Sequence, residues 1–364
     1  MAKVRLPAGP QELTADWLTS ALRETGTISS SAVTGLDHEI IGEGVGVLGQ
    51  LARFNLTYDS PEAGAPKSLI GKFPAAVQDN RDLANLFRFY EREVRFYERI
   101  AEEVELRTPK RYYSHFDDDT NDFALLIEDM APARCGNQVA GCSPEEAKAT
   151  LLNIARFHAT WWDRVDTPQL DWIPYGNDPI QHFAESAYND GWDNFASNFG
   201  DRLSPRAMAI AERFKTKIIA IEDAFGASPP RTIAHGDLRY DNLFFSENGA
   251  MAVADWQIVL RARGTYDVAY FLSQSVNPAD RKACEMDILR SYHETLLERG
   301  VRGYGFDQCF DDYRTCAMFC LVYPVISAGN LDLANERGVE LVTAMLDRSI
   351  ATILDLDCDE MIPA

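Results

Sequence analysis

From about residue 36 to 130, apolar and polar positions mostly alternate with a period of two. In "QLARFNLTYD", Ala52, Phe54, Leu56 and Tyr58 fall out of phase with Arg53, Asn55 and Thr57, which describes a half-buried strand. "HEIIGEG" and "SLIGKF" read as further strands, and "RDLANLFRFYEREVRFYERIAEEV" as one interrupting helix. "RYYSHFDDDTNDFALLIEDM" reads as a hairpin turned at "DDDTND", because Asp and Asn favour turn backbone. Ahead of the strands, "ELTADWLTSAL" has the spacing of an amphipathic helix. After Met130 the chain becomes mostly helical, beginning with "SPEEAKATLLNIARFHATWW", where Ser143 caps and Pro144 takes the first helical position. One short break follows: "RTIAHGDLRYDNLFFSENGAMAVADWQ" holds two brief apolar strands, "LFF" and "MAVAD", separated by "SENG". The pattern predicts an α+β protein with a small sheet-rich lobe, a linker near "EDMAPA", and a larger helical lobe carrying a small hairpin.

Composition narrows the function classes. At 364 residues, with 46% hydrophobic and 25% charged residues, the chain has room for two or three domains and a sizeable core. A net charge of -21 argues against nucleic acid and anionic membranes as partners. The seven cysteines, without a C-x-x-C pair, read as reduced thiols in a cytosolic protein, and Cys309, Cys316 and Cys320 as core filler at helical spacing. "CAMFCLVYPVISAG" is too short to span a bilayer and contains Pro324, and the first residues hold no apolar signal core. The expectation is a soluble, cytoplasmic protein, its oligomeric state open.

Two motifs carry chemistry. "GVGVLG", with Gly44 and Gly46, has the G-x-G-x-x-G spacing that brings backbone close to phosphate, but the strand after it excludes the helix that a dinucleotide site needs. From the residues alone it is either a phosphate-covering hairpin or an ordinary β-hairpin bend. "HGDLRYDN" places Asp237 five residues before Asn242, and Asp255 follows in "VADWQ". A carboxylate to accept a hydroxyl proton, with an amide oxygen and a second carboxylate for magnesium, fits phosphoryl transfer. The bland alternative is that Asp237 and Asn242 satisfy loop backbone.

"HGDLRYDN" with "DWQ" resembles the H-G-D-x-x-x-x-N motif and metal-binding Asp of the aminoglycoside phosphotransferase and choline kinase group, and is nearest to the ecdysteroid-kinase-like (CHK kinase-like) phosphotransferases. Arg239 departs from that pattern, which usually has Trp there. The resemblance implies a bilobal protein-kinase-like fold: residues 1–127 as N-lobe, 128–134 as hinge, and 135–364 as helical C-lobe with the catalytic hairpin at 235–257. It implies ATP and Mg2+ as cofactors, with Asp237 as catalytic base and Asn242 and Asp255 as metal ligands. Lys72 would reach the phosphates, paired with Glu93, or with Glu91 as the fallback. Gly44 and Gly46 would cover the phosphates, while the Glu128 carbonyl and Met130 amide would meet adenine. Asp267 would cap the catalytic-loop backbone and His235 would brace the loop. His158, on an apolar helix face, reads as a core histidine.

No G-x-x-x-x-G-K-[ST] occurs, which excludes a Walker-type NTPase, and H-R-D, D-F-G and A-P-E are absent, which disfavours a protein kinase. The acceptor is therefore expected to be a small-molecule hydroxyl. Between Trp161 and Gly200 lie four of the six tryptophans and seven acidic side chains against the single basic Arg164. Such a segment, with Trp172 and Trp192 as candidate substrate residues, suits a cationic amino alcohol or aminoglycoside. A sterol-like or hydroxyacyl alcohol is the other acceptor class, and helix packing the alternative role for the aromatics. A nucleotide-binding pseudokinase is the rival function, which ATP turnover separates from an enzyme.

Overall fold

The computed structural model describes residues 5–41, 48–60, 62–247 and 249–363. The chain divides into two compact units, Met1–Arg134 with Ala252–Ile258, and Cys135–Met251 with Val259–Ala364.

The first unit starts with helix α1 (Ala15–Glu24), whose first turn is closed by the Thr14 hydroxyl accepting from the Trp17 amide. Strands β1 (Val33–Ile41), β2 (Gly49–Tyr58) and β3 (Ser68–Pro74) follow, then helices α2 (Gln78–Leu86) and α3 (Phe89–Arg99), and strands β4 (Arg111–Phe116), β5 (Phe123–Glu128) and the short β6 (Arg134–Cys135). The first five strands form an antiparallel sheet in the order β1-β2-β3-β5-β4. Leu18, Ala21 and Leu22 of α1 pack on Phe54, Phe73, Tyr112 and Tyr113 of that sheet, which buries the apolar stripe that the sequence pattern marked. Gly71 leaves room for the rings behind β3, since a Cβ there would lie 2.8 Å from Phe54 and 2.9 Å from Phe73.

The interrupting helix expected over residues 81–104 is two helices. Arg88 takes a left-handed backbone at φ 56°, and the Phe87 and Phe89 rings stack 5.3 Å apart across the break. The break lets α3 turn its own buried face, with Tyr90, Glu93, Val94, Phe96 and Tyr97, inward. Period alone cannot reveal such a turn, because no Gly or Pro marks it. The β4–β5 hairpin turns where Asp and Asn predict it: the Asp117 carboxylate accepts from the Asp119 and Thr120 amides, and Asn121 is left-handed at φ 58°.

The second unit is mostly helical. Helix α4 (Pro144–Trp161) starts at Ser143, whose hydroxyl accepts from the Glu146 amide. Helices α5 (Phe183–Phe199), α6 (Pro205–Phe214) and α7 (Ile218–Gly226) follow. Strand β7 (Thr232–Ala234) leads into the "HGDLRYDN" loop, then come β8 (Leu243–Phe245), β9 (Met251–Val253), of which only Met251 belongs to this unit, and β10 (Leu260–Ala262), the last pairing antiparallel with β7. Helices α8 (Thr265–Ser275), α9 (Pro278–Glu298), α10 (Phe306–Phe319), α11 (Val322–Gly329) and α12 (Glu336–Asp355) complete the unit. Every residue of α8 is buried. Cys309, Cys316 and Cys320 are buried among these helices. Among the described residues no helix is long and apolar enough to cross a membrane.

Candidate active site

Buried polar side chains lie in both units. In the first unit, Lys72 lies opposite Leu51 and Leu125 in the register of the central strand β3. Its ammonium donates to Glu93 Oε1 at 2.5 Å and to Asp255 Oδ1 at 3.0 Å. Burial opposes the positive charge, but Asp255 and Glu93 outweigh it and raise the lysine above its ordinary range. Glu93 is pushed up by burial, partly offset by Lys72. Glu91 is spoken for by Arg88 and Arg95, each at 2.7 Å, so geometry separates the two candidate acids. Asp255 itself has φ 67°, a left-handed backbone that costs a non-glycine residue energy and directs its carboxylate toward Lys72. Behind it the Trp256 ring stacks on Phe96 of α3, with centroids 3.8 Å apart. The "DWQ" tryptophan thus ties Asp255 to the helix that bears Glu93.

At the end of β5 the Glu128 carboxylate receives Arg107, at 2.7 Å to each oxygen, and the Lys110 amide at 2.9 Å. The Met130 carbonyl accepts from the Ala133 amide at 2.8 Å. Gly44 and Gly46 lie outside the described residues.

The second unit holds the "HGDLRYDN" loop. Asp267, on buried α8, accepts the His235 amide at 2.7 Å and the Gly236 amide at 3.0 Å, one on each oxygen. Gly236 has φ 87°, which explains the glycine of "HGD", since a side chain there would be strained. The His235 ring Nδ1 accepts from the Asp237 amide at 3.2 Å. Asp237 Oδ1 accepts from the Tyr270 hydroxyl at 2.7 Å, and Oδ2 from Arg239 Nε and Asn242 Nδ2, both at 3.2 Å. Asn242 Nδ2 also donates to the Asp237 carbonyl at 2.9 Å, which commits the amide nitrogen to the loop and leaves the hard oxygen Oδ1 as the group for a cation.

Sequence reasoning missed two partners. His158 is a buried residue, as its apolar helix face suggests, but it also bridges Asp267 Oδ2 at 3.1 Å and the Tyr292 hydroxyl at 2.8 Å. Tyr270 was legible in principle: it follows Asp267 by three residues, so both project from one face of α8. Trp172 and Trp192 are buried. The Trp172 indole donates to the Gln169 carbonyl, and Trp192 packs against Tyr188, Phe195 and the Lys215 ammonium.

Burial alone would raise the Asp267 carboxyl, but the His158 hydrogen bond and charge, then His235 and the Gly236 amide, bring it below its usual range. A depressed acid contributes stability above its unfolded pKa of about 3.9, and that contribution is lost as pH falls through the lower folded value. Replacing Asp267 by Ala strands the two loop amides and His158, and is expected to cost about 3 kcal/mol or more in urea unfolding near neutral pH. The difference from wild type should shrink as the pH is taken below about 3, and an unchanged urea midpoint near neutrality would contradict this bracing role.

The ecdysteroid kinase-like family model matches residues 43–300. No curated protein matches the sequence. Among solved structures, a Ralstonia eutropha JMP134 protein provisionally named an aminoglycoside phosphotransferase has a TM-score of 0.57 at 13% identity, covering 95% of this chain and 98% of that one. Choline kinase from Cryptosporidium parvum Iowa II has a TM-score of 0.54 at 11% identity, covering 89% and 91%. Aminoglycoside 2'-phosphotransferase-IIIa, solved as a GDP complex, has a TM-score of 0.52 at 12% identity, covering 93% and 99%. At these identities the likeness speaks for the bilobal kinase-like fold, while the family match covers more than half of the chain and both motif regions. The chain belongs to the ecdysteroid kinase-like family.

Proposed function

We propose that the chain transfers the γ-phosphoryl group of ATP, bound with magnesium, to the hydroxyl of a small molecule, with Asp237 as the base. The observation that carries this reading is the setting of Asp237. Three donors from Tyr270, Arg239 and Asn242 hold its carboxylate in one orientation, which suits a group that must receive a proton from a fixed direction. Asn242 Oδ1 and the Asp255 carboxylate are the oxygen donors that would hold magnesium, and Lys72 the point charge for the α- and β-phosphates. Magnesium, when bound, supplies neutralisation of charge on the transferring group. The backbone at Glu128 and Met130 would meet the base, and Gly44 and Gly46 would cover the phosphates. Residues 1–127, 128–134 and 135–364 would serve as N-lobe, hinge and C-lobe. The deciding experiment is magnesium-dependent ADP release with a metabolite pool, using ATP and GTP in parallel. A chain that binds nucleotide without turnover would be the regulatory alternative.

The acceptor class is open to a separate test. Asp163, Asp166, Asp171, Asp190 and Asp193 are exposed on the acidic segment, so their field acts through solvent. For a cationic acceptor, kcat/KM is expected to fall severalfold between about 0.05 M and about 0.5 M salt as these charges are screened. A flat profile would point instead to a neutral sterol-like or hydroxyacyl alcohol. Because Trp172 and Trp192 are buried, substitution there would disturb packing as well as any acceptor contact, and the salt profile is the cleaner measurement.

A further inference from the structure

Helix α7 packs against α5, β10 and α10, and buries Ile218, Ile221, Glu222 and Phe225. Glu222 breaks that apolar set. It is 1% exposed, and its Oε2 has no hydrogen-bond partner among the described residues. The charged groups on the surrounding elements have other commitments. Glu185 of α5 accepts from the Ile219 amide, and Asp223, on α7 itself, from Asn177. Arg261 of β10 stacks on Tyr175 and donates to the Val165 carbonyl. Arg263 donates to the Ser228 and Pro230 carbonyls and pairs with Asp312 of α10. Burial, and then the like charges of Asp223 and Glu185, push the Glu222 carboxyl up to about 9, so it stays protonated near neutral pH. A buried carboxyl oxygen without a partner is costly, and stability alone would favour an apolar residue here.

A wall of rings leads from this carboxyl to Asp237. Phe225, three residues along α7, packs on Tyr266 with centroids 5.4 Å apart. The Tyr266 and Tyr323 hydroxyls are hydrogen-bonded, and the Tyr323 ring meets Tyr270 at 4.6 Å. Tyr270 in turn donates to Asp237 Oδ1. The charges of Asp237 and Glu222 both act on the Tyr323 hydroxyl, and Tyr323 as a residue is half-buried.

We propose that Glu222 is a specificity residue of the acceptor site, and that it selects an alcohol bearing an ammonium group, held against the Tyr323 face while its hydroxyl reaches Asp237. This rests on Asp237 marking the acceptor end of the phosphotransferase. A neutral partner would satisfy Oε2 only. A cation would also relieve the crowding of Glu222 with Asp223 and Glu185, and would lie on a ring face. When the ammonium docks, the Glu222 carboxyl loses its proton to solvent, and a carboxylate–ammonium pair replaces a neutral acid.

The test is calorimetric titration of the full chain near pH 7, in buffers of different ionisation enthalpy. The probes are choline and ethanolamine, each beside its neutral carbon isostere, in which a tert-butyl group replaces the trimethylammonium and a methyl group the primary ammonium. At least one ammonium probe is expected to bind about tenfold or more tightly than its isostere, with release of close to one proton per site. In Glu222→Gln the preference should fall to near unity and proton release should vanish. Glu222→Leu serves as the second variant should the amide fail to fold. Absence of any ammonium preference, or a preference that persists in a folded variant, overturns the proposal. Magnesium-ATP turnover of the wild-type chain is measured separately. Turnover without ammonium preference rejects Glu222 as selector and leaves the phosphotransfer reading intact, whereas absent turnover rejects that reading itself.

Discussion

Asp237→Asn is expected to lower kcat by a factor on the order of a hundred or more while magnesium-ATP affinity stays nearly unchanged. The amide has almost the shape of the carboxylate, so the loop can keep its Asp267 and Gly236 geometry and the protein should fold. What changes is the proton chemistry. The carboxylate accepts from Tyr270, Arg239 and Asn242, and an amide in its place offers one oxygen and turns a nitrogen toward at least one of these donors. It also cannot take the acceptor's proton. Steady-state kinetics beside calorimetric titration of magnesium-ATP make the comparison. Unaltered turnover would remove Asp237 from the chemistry, and a matched loss of nucleotide affinity would make it a binding residue instead.

Asp255→Ala is expected to reduce magnesium-dependent turnover by on the order of a thousandfold, or to below detection. Lys72→Ala should weaken nucleotide binding and turnover while the metal requirement remains. The two residues share a contact at 3.0 Å, but they are expected to do different work. Loss of Asp255 would remove the proposed oxygen donor for the metal and leave Lys72 with Glu93, a buried pair that still holds the ammonium. Loss of Lys72 leaves Glu93 and Asp255 as neighbouring acids without their shared cation, so its effect will include a structural part. Lys72→Met, which keeps the apolar stem, separates that part from the lost charge. Intact magnesium-ATP affinity in both Asp255→Ala and Lys72→Ala would place the nucleotide site elsewhere.

Much of this was legible in the chain itself, because it depends on short-range patterns. Period-two alternation marks β2, turn residues mark the β4–β5 hairpin, and the Ser143–Pro144 pair marks the start of α4, since each is decided by local backbone chemistry. The spacing of Asp237, Asn242 and Asp255 is likewise local, and it points to phosphoryl transfer before any fold is known. What stayed hidden depends on residues far apart in sequence. The left-handed Arg88 that splits the interrupting helix is held by packing around Phe87 and Phe89, without a glycine or proline to announce it. The choice of Glu93 over Glu91 is made by which acid α3 turns toward Lys72, a contact across 21 residues. His158 looks like core until a contact across 109 residues joins it to Asp267. Glu222 looks like one more helix acid until the packing around α7 buries it with Oε2 unpartnered among the described residues. Composition and period determine which elements form and which chemical groups are present; tertiary packing decides which acids meet cations and which are left buried, because charge and desolvation act through space and not along the chain.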